Sequence, residues 1–157
     1  MLSVIGILFI GCMAVSHHDG SSSQIIRACF PESYIAVGAL YEFCHVPGKC
    51  GKPLECEGQT ALIKGRIDYT NIFEHSRYPQ LPYEKFFLVG DEGKIVDVLV
   101  VSSDNASLFQ KIFIAWKEGK QTAYIKGTIR GFDAPVMGTC HREIQLEITS
   151  PANIYFR

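Results

Sequence analysis

The sequence predicts an all-β barrel with one capping helix, and three observations carry that expectation. Several stretches after residue 59 alternate apolar and polar side chains with a period of two, the signature of half-buried strands. A single run in the middle of that region instead repeats its apolar residues at helical spacing. Two of the alternating stretches, Ala61-Leu62-Ile63-Lys64-Gly65-Arg66-Ile67 and Ala123-Tyr124-Ile125-Lys126-Gly127-Thr128-Ile129, agree at five of seven positions. Each carries an interior glycine, which in a strand marks a bulge or a tight barrel bend.

Size and charge limit what such a domain can do. The chain has 157 residues, 47% hydrophobic and 20% charged, with a formal net charge of -1 and a mean hydropathy of +0.11. That is about one domain, large enough to build a core without a metal or disulfide staple. Fifteen basic against sixteen acidic residues exclude a duplex-DNA binder, which needs clustered Lys and Arg to displace counterions.

Residues 1–16 are expected to be a leader. Met1 to Val15 is apolar and uncharged, too short for a spanning helix of about 20 residues and suited to a secretory h-region. Two processing routes are open: cleavage at Ser16 after Ala14-Val15, or lipidation of Cys12 in the lipobox-like Phe9-Ile10-Gly11-Cys12. Either implies export, to the periplasm or, as a lipoprotein, to an outer-membrane anchor. Residues 17–58 read as an irregular, Cys-rich segment broken by Pro31, Pro47, Gly48, Gly51 and Pro53, with one short helix over Glu32 to Phe43. Cys44, Cys50 and Cys56 fall within thirteen residues, so a disulfide inside that group is expected in an oxidising compartment. With Cys29 and Cys140 the count is odd, leaving one thiol free or paired outside the chain. Spacings of two to four residues, which zinc ligands favour, do not occur among these cysteines, and no metal or other cofactor is expected.

Residues 59–157 form the predicted barrel. Thr60 to Tyr69 is the first strand, with Ile63, Gly65 and Ile67 on the inner face and Leu62, Lys64, Arg66 and Asp68 outside. A loop over Thr70 to Tyr83 follows. Lys85 to Val89 and Lys94 to Val101 make a hairpin across Gly90-Asp91-Glu92-Gly93. The helix is Asn105 to Lys117, capped by Ser103 or Asp104 and stopped by Gly119, with Leu108, Ile112, Ala115 and Trp116 facing the core. Thr122 to Phe132 and Arg142 to Thr149 complete the set, separated by a loop with Pro135 and Gly138. The order β-β-β-α-β-β is that of an OB-fold, a five-stranded Greek-key barrel.

Glu57 to Ile67, followed by Trp116-Lys117-Glu118-Gly119-Lys120-Gln121-Thr122-Ala123-Tyr124-Ile125-Lys126-Gly127-Thr128-Ile129, resembles the exported bacterial OB-fold proteins grouped as tRNA-anticodon-binding-like. Those carry a "G-k-x-V-x-V-x-G" first strand and an "L-k-x-G-x-x-V-x-V-x-G" fourth strand. The resemblance spans about residues 55 to 150 and implies the fold and an envelope location. It brings no catalytic residues.

Two surfaces are candidates for binding. Lys64, Arg66, Lys126 and Arg130 point outward on neighbouring strands and, with Tyr124 and Phe132, form a row able to clamp an anionic polymer. Glu143, Gln145 and Glu147 on the last strand are expected to neutralise part of it. The second surface is Tyr69 and the loop beyond it, with His75, Arg77, Tyr78 and Tyr83, residue types enriched at protein contacts. A protein partner or a glycan suits it; otherwise its aromatics pack back onto the barrel. No G-x-S-x-G, H-E-x-x-H or paired-carboxylate motif occurs, and adjacent Cys140 and His141 point to opposite faces of an extended segment, so no enzyme is expected. Asn105-Ala106-Ser107 matches a glycosylation sequon but opens the helix, where it reads as a cap. The function expected is non-enzymatic: a protein-interaction or structural subunit of an envelope assembly, or alternatively an oligonucleotide- or anionic-glycan-binding module. Membrane contact is expected only through a lipid or an uncleaved leader.

Overall fold

The computed structural model describes residues 33–45 and 50–157. Along the chain lie β1 (Ile35–Ala36), α1 (Val37–Cys44), β2 (Thr60–Phe73), β3 (Glu84–Val89), β4 (Ile95–Val100), α2 (Asn105–Lys117), β5 (Thr122–Val136) and β6 (Thr139–Ile148). A 3-10 turn at Pro151–Asn153 and β7 (Ile154–Phe156) end it. Strands β2, β3, β4, β6 and β5 pair in that order, and β5 returns to β2, closing a five-membered ring. Every contact in the ring is antiparallel except β4 to β6. This is the predicted OB-fold barrel.

The alternation does what the sequence foretold. Ile63 and Ile67 of β2, Ile125 and Ile129 of β5, and Ile144, Leu146 and Ile148 of β6 are buried in one core with Phe86, Leu88, Val96 and Val98. α2 begins at Asn105 with Asp104 as its N-cap, the carboxylate accepting the Ser107 N–H at 3.3 Å. It lies at the barrel end where β3 starts and β6 stops: Asn105 bonds Glu84, and the Lys111 ammonium donates to the carbonyls of Pro151 and Ile154. Leu108, Phe109 and Ile112 fill that end. Trp116 does not. It is 56% exposed, a correction to the predicted stripe. α1 sits at the other end, by the β3–β4 turn. There Val37 and Leu40 are buried, and the Tyr41 hydroxyl donates to Ile95 O at 2.6 Å.

The boundaries moved in three places. β2 runs four residues past Tyr69, through an irregularity in which it advances from Ile67 to Ile72 while β3 moves only from Leu88 to Phe86. The loop expected before Arg142 is instead a long hairpin turning on Met137 and Gly138, at φ 49 and 78, the left-handed pair of a two-residue turn. Pro135 lies within β5, opposite Cys140. β1 and β7 were not foreseen: β1 runs parallel to β2, and β7 pairs with β5 beyond the point where β6 leaves it.

Two disulfides tie the N-terminal segment down. Cys44–Cys56 is the bridge expected within the cluster, whereas Cys50 crosses to Cys140 on the hairpin. None of the described cysteines is free. The leader, Cys12 and Cys29 lie outside the described residues, as does the start of the helix expected over Glu32 to Phe43; its described part is β1 and α1. Among the described residues no helix is long and apolar enough to cross a membrane.

Candidate ligand groove

The irregularity in β2 is held by its own side chains. The Asp68 carboxylate accepts from Thr70 N–H at 3.0 Å, Thr70 Oγ1–H at 2.6 Å and Asn71 Nδ2–H at 2.7 Å. The Thr70 hydroxyl and then the Asn71 amide hold its pKa below the ordinary carboxylate range. Facing this bend, α2 ends on Gly119 at φ +70, where the left-handed backbone favours glycine. Gly119 N–H donates to Trp116 O at 3.0 Å and Lys120 N–H to Ala115 O at 2.9 Å. The turn is then fastened to β2, because Tyr69 Oη–H donates to Lys120 O at 2.6 Å and Ile67 N–H to Gln121 O at 3.3 Å.

Between the β2 bend and this turn lies a groove of about 500 Å³, with Arg66, Tyr69, Thr70, Trp116, Lys120 and Gln121 in its wall. The rings of Tyr69 and Trp116 are 6.4 Å apart and inclined at 39°. Burial raises the pKa of the Tyr69 hydroxyl. Lys120 is shared with Glu118 at 2.7 Å, while no ion pair among the described residues involves Arg66. The wall therefore combines one exposed indole, one half-buried phenol, the Arg66 guanidinium and a fixed carboxylate.

The predicted site residues separate into three places. Arg66 and Tyr69 enter the groove. Lys64 stands directly opposite Tyr124, and Lys126 opposite Leu62, on the outer face of the β2–β5 pair; neither has an ion-pair partner among the described residues. Arg130 is neutralised by Glu147 at 2.7 Å, which raises its pKa through the hydrogen bond and then the charge. Tyr124 is already engaged: Tyr155 stacks on it at 5.0 Å and 5°, Tyr34 meets it edge-on at 5.1 Å, and the Arg157 guanidinium lies 5.3 Å from its ring centre. The β2–β3 loop folds back onto the barrel. Arg77 covers Phe113 at 4.9 Å, Tyr78 packs on Phe73 at 5.3 Å, and the Lys85 ammonium lies 5.5 Å from the Tyr83 ring. His75 is exposed, its backbone N–H donating to Glu84 at 2.7 Å. None of these four lines the groove.

Sequence reasoning missed Trp116, Lys120 and Gln121 in the groove, and Tyr155 and Arg157 beside Tyr124. Gly119 was the available signal for the first three, since a glycine that ends a helix turns the residues around it toward the preceding strand. One group of potential metal ligands occurs among the described residues, Cys50, Asp133 and Cys140. Its two sulfurs are bonded to each other and so are not thiolate ligands.

No protein family matches this chain, and no curated protein matches it. Among solved structures, the mitochondrial single-stranded DNA-binding protein Rim1 of S. cerevisiae aligns with 64% of this chain and 94% of its own, at 14% identity and a TM-score of 0.38. A likeness of that degree carries no argument about a ligand.

Proposed function

We propose that the chain is a non-enzymatic OB-fold binding module of a cell-envelope or surface assembly, with the groove between Tyr69 and Trp116 as its ligand site. One observation carries this reading: the sole tryptophan is 56% exposed in the wall of a concavity that also holds a guanidinium with no ion pair among the described residues. Leaving a large aromatic in water forgoes about 25 cal/mol for each Å² of apolar surface. Apolar concavities with a few convergent polar groups are the usual form of a ligand site. Two disulfides favour an oxidising, extracytoplasmic setting. Catalysis is not supported: Thr70 does donate to Asp68, but the bonds that lower the pKa of that carboxylate also make it a poor general base, and Cys140 is tied in a disulfide.

The test is a fragment screen followed by amide chemical shifts of the purified protein. Hits are expected to perturb residues 66–70 and 116–121 together. Hits that cluster elsewhere, on the hairpin tip or the β2–β3 loop, would reject the groove as the site.

A second reading keeps the outer face of β2 and β5 for an oligonucleotide. Lys64, Arg66 and Lys126 favour it, since no acidic side chain among the described residues pairs with them. The engagement of Tyr124 by Tyr155 and Arg157 weighs against it, because a base needs an open ring face on which to stack.

A further inference from the structure

The chemistry of the groove wall narrows its occupant, given the reading above that the groove is the ligand site. The Tyr69 and Trp116 rings, 6.4 Å apart and inclined at 39°, form no parallel slot that would sandwich a planar base. They offer instead an indole that is 56% exposed beside a tilted phenol, a pairing that suits the flat C–H side of a pyranose ring. Around them stand groups that serve hydroxyls: Thr70, the Gln121 amide, and the Asp68 carboxylate, whose orientation is locked by three hydrogen bonds. A ligand rich in hydroxyls satisfies such a perimeter, where an apolar one would leave it unpaired.

Charge supplies the remaining constraint. Lys120 pairs with Glu118 and Asp68 keeps its charge on hydrogen bonds from the neutral Thr70 and Asn71, so Arg66 is the wall's cation with no ion-pair partner among the described residues. A guanidinium recognises a carboxylate or sulfate with two parallel hydrogen bonds. Arg66 also borders a second depression, shared with Lys64, Thr122 and the acidic Asp91. Lys64 is two residues along the same strand face, about 7 Å away, a step of the order of one sugar ring.

We infer that the groove binds an acidic saccharide, with a pyranose face on Trp116, its carboxylate or sulfate on Arg66, and the next acidic sugar directed toward Lys64. The experiment uses the folded, oxidised protein and three defined tetrasaccharides: tetragalacturonate, tetramannuronate and a sulfated heparin tetrasaccharide. The methyl ester of tetragalacturonate and a ten-residue oligothymidylate serve as comparisons. Emission from Trp116 reports binding without ambiguity, because the chain has one tryptophan, and calorimetry gives affinity for the variants. At least one acidic tetrasaccharide is expected to shift the emission saturably. Arg66→Gln should weaken it tenfold or more, Lys64→Gln severalfold, and Trp116→Ala should abolish the heat of binding. Esterification should weaken tetragalacturonate tenfold or more if that is the sugar bound. Equal binding of acid and ester, tighter binding of the oligothymidylate, or no binding of any acidic tetrasaccharide would overturn the inference. In each case the fragment screen separates the two claims: hits still at residues 66–70 and 116–121 leave the groove standing and remove only the saccharide, whereas hits elsewhere remove both.

Discussion

Ile63 and Ile125 face each other across the β2–β5 seam and mark the centre of a local two-fold relation between the two similar heptapeptides. Ala61 lies opposite Gly127 and Gly65 opposite Ala123, so each glycine meets the other segment's alanine. The repeated sequence is thus one small-residue seam, paired with itself, where the ring closes. A Cβ on Gly65 would come 2.7 Å from Leu88 Cγ and 3.0 Å from the Val89 carbonyl, whereas on Gly127 the nearest atoms are at 3.2 Å. Gly65→Ala is therefore expected to destabilise by about 1–3 kcal/mol through overpacking, and Gly127→Ala by less. Urea unfolding of both variants ranks them; the reverse order would show that the seam is not limited by Leu88.

α2 separates buried from exposed side chains within nine residues, Leu108 at 0% and Trp116 at 56% exposure. Leu108→Ala is expected to cost about 2–5 kcal/mol, as truncation of a buried leucine does, because Leu108 is fully buried in the core. Trp116→Ala should change stability by about 0.5 kcal/mol or less, like a surface substitution. Thermal unfolding decides. A large loss at Trp116 would make it a core residue after all and remove the basis of the groove.

Alkaline pH should loosen the protein through two tyrosines. Burial, with the hydrogen bond and charge of Tyr155 behind it, pushes the Tyr34 hydroxyl up to about 12. Burial and then the charges of Glu143 and Asp97 push the pKa of Tyr41 well above the phenol range. Both folded pKa values exceed the unfolded value near 10. Their contribution is thus fully present below pH of about 10 and is lost as pH climbs through about 12 and beyond. Denaturation midpoints should stay flat up to about pH 10 and then fall, and Tyr41→Phe should make the fall shallower. An unchanged slope in that variant would assign the alkaline transition to other groups.

The oligonucleotide reading makes a separate demand on salt. If the outer face of β2 and β5 holds a single strand with Lys64, Arg66 and Lys126, log K should fall against log salt with a slope near -2, at about 0.7 for each phosphate. Lys126→Glu should flatten that slope by about one contact. Binding of an oligothymidylate that ignores both salt and the substitution would discard the face.

Much of the barrel was legible because burial imposes a period: the β6 residues Ile144, Leu146 and Ile148, or the helix Asn105–Lys117 with its Asp104 cap, announce themselves locally. β1 and β7, at two and three residues, are too short to show any period. Pro135 hid the outer part of β5, since proline normally argues against a strand, and the hairpin beyond the barrel tolerates it. The groove was half legible. Arg66 and Tyr69 were visible as outlying polar and aromatic groups. Trp116 reads as part of the stripe because its angular position, about 80° round the helix from Leu108, lies at the margin where hydrophobicity alone does not distinguish core from rim. The partner of Cys140 was illegible, because spacing along a chain carries no record of which hairpin returns to which segment.

The cross-links Cys44–Cys56 and Cys50–Cys140 interleave along the chain, so neither can be drawn without stepping inside the other's span. A protease that cuts once anywhere between Gly51 and Thr139 would leave both pieces covalently joined, migrating as one species on a gel until a reductant is added. In an oxidising setting, a single nick in a surface loop would then be survivable damage.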